Sequence, residues 1–233
     1  MVISIILIVF GALCLTLFLL EKIRGYTVKE ALIKSVTSFF FIALAAYSHY
    51  KNGGQPFGIY VIAALALGML GDIWLEFKYV FKEQTRIFTY AGFISFALGH
   101  ILYITGMIVC LYDKYPWYGF VAPIAFGLLC GGLILVMEKP LKMVYGEYKL
   151  ICFIYGSLLF TTLGTSFYLT VSNGFAVSSF TMLFIGAVLF AVSDLILSGT
   201  YFGEGKERPF DIISNSVTYY AAQYIIAFSL FFL

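Results

Sequence analysis

Two aspartates sit where an acid is costly. Asp72 lies in "LGMLGDIWLE" after ten almost wholly apolar residues, Phe57 to Ala66, and Asp194 lies in "GAVLFAVSDLIL". Buried carboxyls in a membrane segment face a protein interior or a wet cavity, and they are functional candidates by default. Two together are the usual kit for acid-assisted water addition. Burial and mutual repulsion separate their proton affinities, so one donates a proton while the other stays charged beside developing positive charge. Glycosidases use such a pair at an oxocarbenium-like transition state. The competing reading is structural: interhelical hydrogen bonding, or acids close enough to the surface to stay hydrated.

The elements that must carry these acids follow from composition. Of 233 residues, 62% are hydrophobic and 11% charged, against about half and a quarter in soluble domains. The expected class is an all-α polytopic membrane bundle, one integral domain over residues 1–233. Soluble domains are excluded, and a net charge of +2 gives no argument for nucleic acid. Eight spans are expected: Val2–Leu20, Ala31–Tyr50, Phe57–Phe77, Ile87–Tyr112, Trp117–Met137, Leu150–Val171, Phe175–Leu197 and Ile212–Leu233. Each is near the ~20 residues that cross a bilayer. The first run lacks a preceding basic region and reads as a retained helix, not a signal peptide. "KNGGQP", "DKYP", "EKP" and "SNG" punctuate the runs. Tyr112, Tyr115, Trp117 and Tyr118 read as an interfacial aromatic belt.

Lysine and arginine set the expected orientation. The odd-numbered connections with their flanks hold 12 of the 14, and the even ones hold Lys51 and Lys114. That split puts the odd connections in the cytoplasm and both termini outside. Asp72 then lies roughly 7 Å, and Asp194 roughly 5 Å, from the cytoplasmic ends of their spans at ~1.5 Å per residue. Lys34 enters at a similar level, where a lysine commonly snorkels to the interface. Tyr219, Tyr220 and Gln223 sit roughly 10 to 17 Å in on the last span. Polar groups from four helices thus share one half of the bilayer. Glu76, one turn after Asp72, is expected at the interface. Gly68 and Gly71 would let a neighbouring helix come close to the Asp72 face.

The other chemical candidates are weaker. The histidines are His49 and His100, too few and too separate for a metal site, so no metal or cofactor is expected. His100 serves equally as an interhelical hydrogen-bonding residue. Cys14, Cys110, Cys130 and Cys152 all fall in apolar runs and read as small packing residues. No clear long-period repeat is visible, apart from an echo between "LGDIWL" and "VSDLIL", on helices that run the same way.

These motifs carry a resemblance. "GDIWL", "GHILY", "GAVLFAVSDLIL" and "TYYAAQ" occur in that order on the third, fourth, seventh and eighth spans. The sequence resembles the YhhN-like integral membrane proteins, the lysoplasmalogenase family, over nearly its whole length. The resemblance implies eight spans, short loops and a bacterial cell membrane. It also implies hydrolysis of the vinyl-ether bond of a lysoplasmenyl phospholipid, releasing a fatty aldehyde and a glycerophospho-alcohol. The family's acids correspond to Asp72 and Asp194, its His-x-x-Tyr to His100 and Tyr103, its Tyr-Tyr-x-x-Gln to Tyr219, Tyr220 and Gln223, and its lysine to Lys34. On this reading Asp194 donates the proton and Asp72 stays ionised. Lys34 holds the phosphate, and the eighth-span residues orient the ether or the water. Two departures stand out: "KSVTS" lacks the proline usual after the lysine, and Tyr201 stands where a basic residue often precedes the Phe. Two alternatives are a small proton- or cation-coupled transporter and a hydrolase of another ether or ester lysolipid. The sequence leaves headgroup preference and oligomeric state open.

Overall fold

A computed structural model describes residues 2–233 except 26, 112–113, 177 and 204–207. Tyr112 of the expected aromatic belt and Lys206 of the charge count lie outside the described residues. Eight long helices are present: α1 (Val2–Arg24), α2 (Val28–Lys51), α3 (Pro56–Val80), α4 (Thr85–Val109), α5 (Val121–Val136), α6 (Lys149–Ser172), α7 (Ser179–Phe202) and α8 (Pro209–Ser229). Short 3₁₀ turns precede α4, α5 and α6, and one follows α8. Local sequence places several of the starts. The Thr27 hydroxyl accepts from the Glu30 amide at 3.3 Å and caps α2. Pro56 and Pro209 occupy first-turn positions where a missing N–H costs nothing.

Among the described residues, seven of the eight helices are long and apolar enough to cross a membrane, and α8 is not among them. The polar residues of α8 explain this. Ser216, Tyr219, Tyr220, Gln223 and Ser229 are buried inside the bundle, not turned to lipid. The lipid face is supplied by helices such as α1, whose Ile5, Val9 and Leu13 are exposed. In the expected aromatic belt, Trp117 and Tyr118 are exposed, but Tyr115 is buried against Tyr168 and Phe180.

The packing order repeats after four helices. In the first half α1 packs on α2, α2 on α3 and α3 on α4; in the second α5 packs on α6, α6 on α7 and α7 on α8. The halves meet in two equivalent places, α4 on α6 and α8 on α2. A shift of four antiparallel helices preserves direction, so the relation is a rotation about an axis along the bundle. Aligning Asp72 with Asp194 also brings Leu67 onto Leu189, Leu75 onto Leu197 and Tyr79 onto Tyr201. Tyr79 and Tyr201 both line the same cavity, as residues flanking such an axis can. The echo between the third and seventh spans therefore marks a parallel structural repeat that the sequence alone did not reveal.

Candidate functional site

A cavity of about 380 Å³ lies at the end of the bundle where α3 and α7 finish and α4, α6 and α8 begin. It is confined to one half of the bundle. Its deepest walls, Phe96 on α4, Phe160 on α6 and Tyr220 on α8, each lie eleven residues inside their helices, about 16 Å by helical rise. Both Asp72 and Asp194 line it. Each lies eight residues before the end of its helix, at Val80 and Phe202, so both are about 12 Å deep. The helix ends lie three residues past Phe77 and five past Leu197, the expected ends of the two spans. The two acids share one cavity at one level.

Their surroundings differ. Asp72 is buried, and its Oδ2 accepts from the Ser38 hydroxyl at 2.8 Å and the Tyr219 hydroxyl at 2.9 Å. Its Oδ1 faces the Lys34 ammonium at 3.4 Å. Ser38 has one proton and gives it to Asp72, so the Tyr220 hydroxyl, 3.0 Å away, donates to Ser38. Asp72 is thus held by two hydroxyl donors and one cation. Asp194 is held by the Tyr155 hydroxyl, which donates to Oδ2. Among the described residues no lysine or arginine forms an ion pair with Asp194.

Glu76, expected at the interface, is instead buried at 3% exposure and central to an ion cluster. Its carboxylate takes Lys22 at 2.8 and 2.9 Å and Lys34 at 2.7 Å. Lys22 also reaches buried Glu30 at 3.2 Å. Lys34, expected either to snorkel or to hold phosphate, is thus engaged by two carboxylates, Asp72 and Glu76. A buried group of this kind is tolerated only because each charge has a partner.

The remaining predicted residues divide. Tyr219 and Tyr220 line the cavity. Gln223 is buried one turn deeper, with its Nε2 close to Gly68. His100 and Tyr103 are not brought to the cavity; they border a separate small space, where His100 Nδ1 is 3.0 Å from the Thr162 hydroxyl. His100 still touches the site indirectly, with its ring against Tyr155 at 5.6 Å and Phe190 at 5.2 Å. The close approach expected at Gly71 is present: a Cβ there would meet the Phe96 ring at 2.6 Å. Cys130 and Cys152 are on the cavity wall.

Sequence reasoning missed Lys22, Ser38, Glu76 and Tyr155. The spacing of Glu76 one turn from Asp72, facing two lysines in the same half, was an available signal. Tyr155 had none, being one of 18 tyrosines. The repeat now gives it one. Lys34 and Tyr155 are each the seventh residue of their helix, and each contacts the acid of the following helix in the packing order.

Fold and site together define a polytopic α-helical membrane protein with a charged, half-membrane cavity built around two acids. The sequence profile of the YhhN family matches residues 29–230, and the chain belongs to that family. Lys22 and the whole of α1 fall outside the matched span. No curated protein and no solved structure matches the chain at a significant level.

Proposed function

We propose that the protein is a membrane hydrolase that cleaves the vinyl-ether bond of a lysoplasmenyl phospholipid by acid-assisted water addition. Family membership supports a lysoplasmalogenase-type protein. The observation that carries the mechanism is the pair of carboxyls on one cavity, buried Asp72 ringed by Lys34, Ser38 and Tyr219, and half-buried Asp194 held by Tyr155.

In this mechanism Asp194 carries the proton on the oxygen not bonded to Tyr155. It delivers that proton to the outer carbon of the vinyl ether, and an oxocarbenium ion forms at the carbon bearing the ether oxygen. Ionised Asp72 stabilises that positive charge, the class of effect that contributes most in buried sites. Water adds to the cationic carbon and returns a proton to Asp194. The hemiacetal then collapses to a fatty aldehyde and the glycerophospho-alcohol. Lys34 acts by keeping Asp72 ionised. Orientation remains as proposed from charge: the cavity mouth in the cytoplasmic leaflet and both termini outside.

A second reading is a proton- or cation-coupled carrier. The parallel repeat favours it, since some carrier families are built from parallel repeats about an axis along the membrane normal. Purified protein incubated with lysoplasmenyl-ethanolamine separates the two. The hydrolase reading expects fatty-aldehyde release, lost in Asp72→Asn and Asp194→Asn while the chromatographic profile of the protein is kept. Full activity in both variants would refute the mechanism. No aldehyde from this lipid but turnover of another ether or ester lysolipid would redirect the substrate.

A further inference from the structure

The cavity is divided by polarity along the repeat. Its cations come from the first half, where Lys22 of α1 and Lys34 of α2 meet Asp72 and Glu76 of α3, while the second half adds Asp194 and Asp211. The position equivalent to Glu76 in the second half is Ser198, also on the cavity wall. From α5 and the inner part of α6 come only apolar groups, Leu133, Ile134, Leu159 and Phe160, with the Cys130 thiol between them.

That apolar lobe reaches the outer surface of the bundle. α5 packs chiefly on α6, joined by Gly127 and Gly131 against Thr161 and Ser157. No comparable packing of α5 on α7 occurs among the described residues. Leu133 on α5 and Leu195 on α7 both line the cavity, yet they are 54% and 57% exposed. A residue can do both only at the rim of an opening. This opening lies along the helices, where lipid chains pack, and the charged residues lie further in.

We propose that the lobe between α5, α6 and α7 is a binding site for a single hydrocarbon chain, entered sideways from the bilayer between Leu133 and Leu195. The proposal rests on the hydrolase reading only for the identity of the headgroup. The occupant is a one-chain amphiphile: the site is apolar at one end and ionic at the other, which matches one chain joined to one polar head. The chain of a lysolipid would run from the acids past Tyr155 and Leu159, with its tail left in the bilayer beyond the rim.

Two measurements test this. The first reads binding without turnover. Cys130 in the native protein is alkylated with a small maleimide and the modified peptide is quantified by mass spectrometry. A non-hydrolysable 1-O-hexadecyl lysophosphoethanolamine is expected to slow Cys130 modification at least fivefold, whereas glycerophosphoethanolamine without a chain leaves it unchanged. Absence of protection by the alkyl lysolipid, or equal protection by the chainless headgroup, overturns the proposal whether or not the protein is a hydrolase. The second uses Leu133→Trp with Leu195→Trp, exposed positions that tolerate bulk. KM for a long-chain lysoplasmenyl substrate is expected to rise tenfold or more, and by more than KM for a four-carbon water-soluble analogue. Equal effects on both substrates, or none on the long-chain one, overturn the lateral entrance. Protection of Cys130 without any turnover would refute the hydrolase reading and leave the chain site standing.

Discussion

Replacing Glu76 with glutamine keeps the shape of the side chain and removes the charge that joins the buried cluster. In the native protein this carboxylate takes Lys22 through both oxygens and Lys34 through one, at 2.7 to 2.9 Å. Without it, Lys22 retains Glu30 at 3.2 Å and Lys34 retains Asp72 at 3.4 Å. Two ammonium groups that are 12% and 14% exposed then lose their shortest carboxylate contacts. Breaking a buried ion pair from one side typically costs about 3–5 kcal/mol. At about 2–4 °C per kcal/mol for a chain of this size, the melting temperature should fall by about 6–20 °C.

The matched control is Asp72→Asn. Its amide oxygen can still accept from Ser38 and Tyr219, and Lys34 still has Glu76 at 2.7 Å. The loss is a charge-assisted contact exchanged for a neutral one, about 1–2 kcal/mol, or about 2–8 °C. Catalysis should respond in the opposite order: Asp72→Asn abolishes aldehyde release, while Glu76→Gln retains measurable turnover below its melting temperature. The assay is a heating series of detergent-purified protein read by size-exclusion chromatography, with aldehyde release measured on the unheated samples. If Asp72→Asn is the more destabilising change, or Glu76→Gln melts with the native protein, the cluster does not hold the helices as its geometry indicates.

Tyr155→Phe removes the hydrogen bond on Asp194 without changing the ring; turnover should fall about 10- to 100-fold, the size of one bond to the charge that develops on Asp194 as its proton leaves, with KM little altered. Lys22→Met strands Glu30 and Glu76 together, and it should lower the melting temperature more than Lys22→Met with Glu30→Gln does, a non-additivity that a double-mutant cycle measures. Gly71→Ala drives a Cβ into the Phe96 ring at 2.6 Å and should cost about 1–3 kcal/mol; Phe96→Leu in the same chain should restore part of it, as judged by the same heating series. A cytoplasm-dependent fluorescent reporter fused at the C-terminus should stay dark, whereas an impermeant thiol reagent applied from outside should fail to label a cysteine placed at Glu83 in the α3–α4 connection.

The helices and the two acids were legible in the sequence because each is a local signal: a run of apolar residues, or a charge interrupting one. Helix ends were less so. Hydropathy stopped α3 at Phe77, yet the backbone continues through Lys78 and Tyr79 to Val80. Buried polar groups with partners need not end a helix. The ion cluster was hidden for a related reason. Whether Glu76 and Lys34 face water or each other depends on how α1, α2 and α3 are rotated, and periodicity is weak in helices that are apolar almost all round. His100 and Tyr103 show the converse. Their motif is recognisable, but it lies deeper than the cavity floor and reaches the acids only through Tyr155 and Phe190.

The repeat bears on the choice between enzyme and carrier. Two equivalent half-sites around one axis suit a carrier if both acids keep the same role. They do not keep it here: the seventh residue of α2 is Lys34 and that of α6 is Tyr155, while Glu76 is matched by Ser198. These differences make one acid part of a charged cluster and leave the other beside a neutral hydroxyl, the inequality that proton donation to carbon requires. Alternating access would also need a path through the opposite half of the bundle. That half is filled by buried side chains, among them Leu65, Met107, Leu183 and Ile226, whereas the cavity stops at Phe96 and Tyr220. Opening a second path would separate this close-packed core. A one-sided cavity with an apolar rim demands less, only that a lipid enter and its products leave through the same half of the membrane.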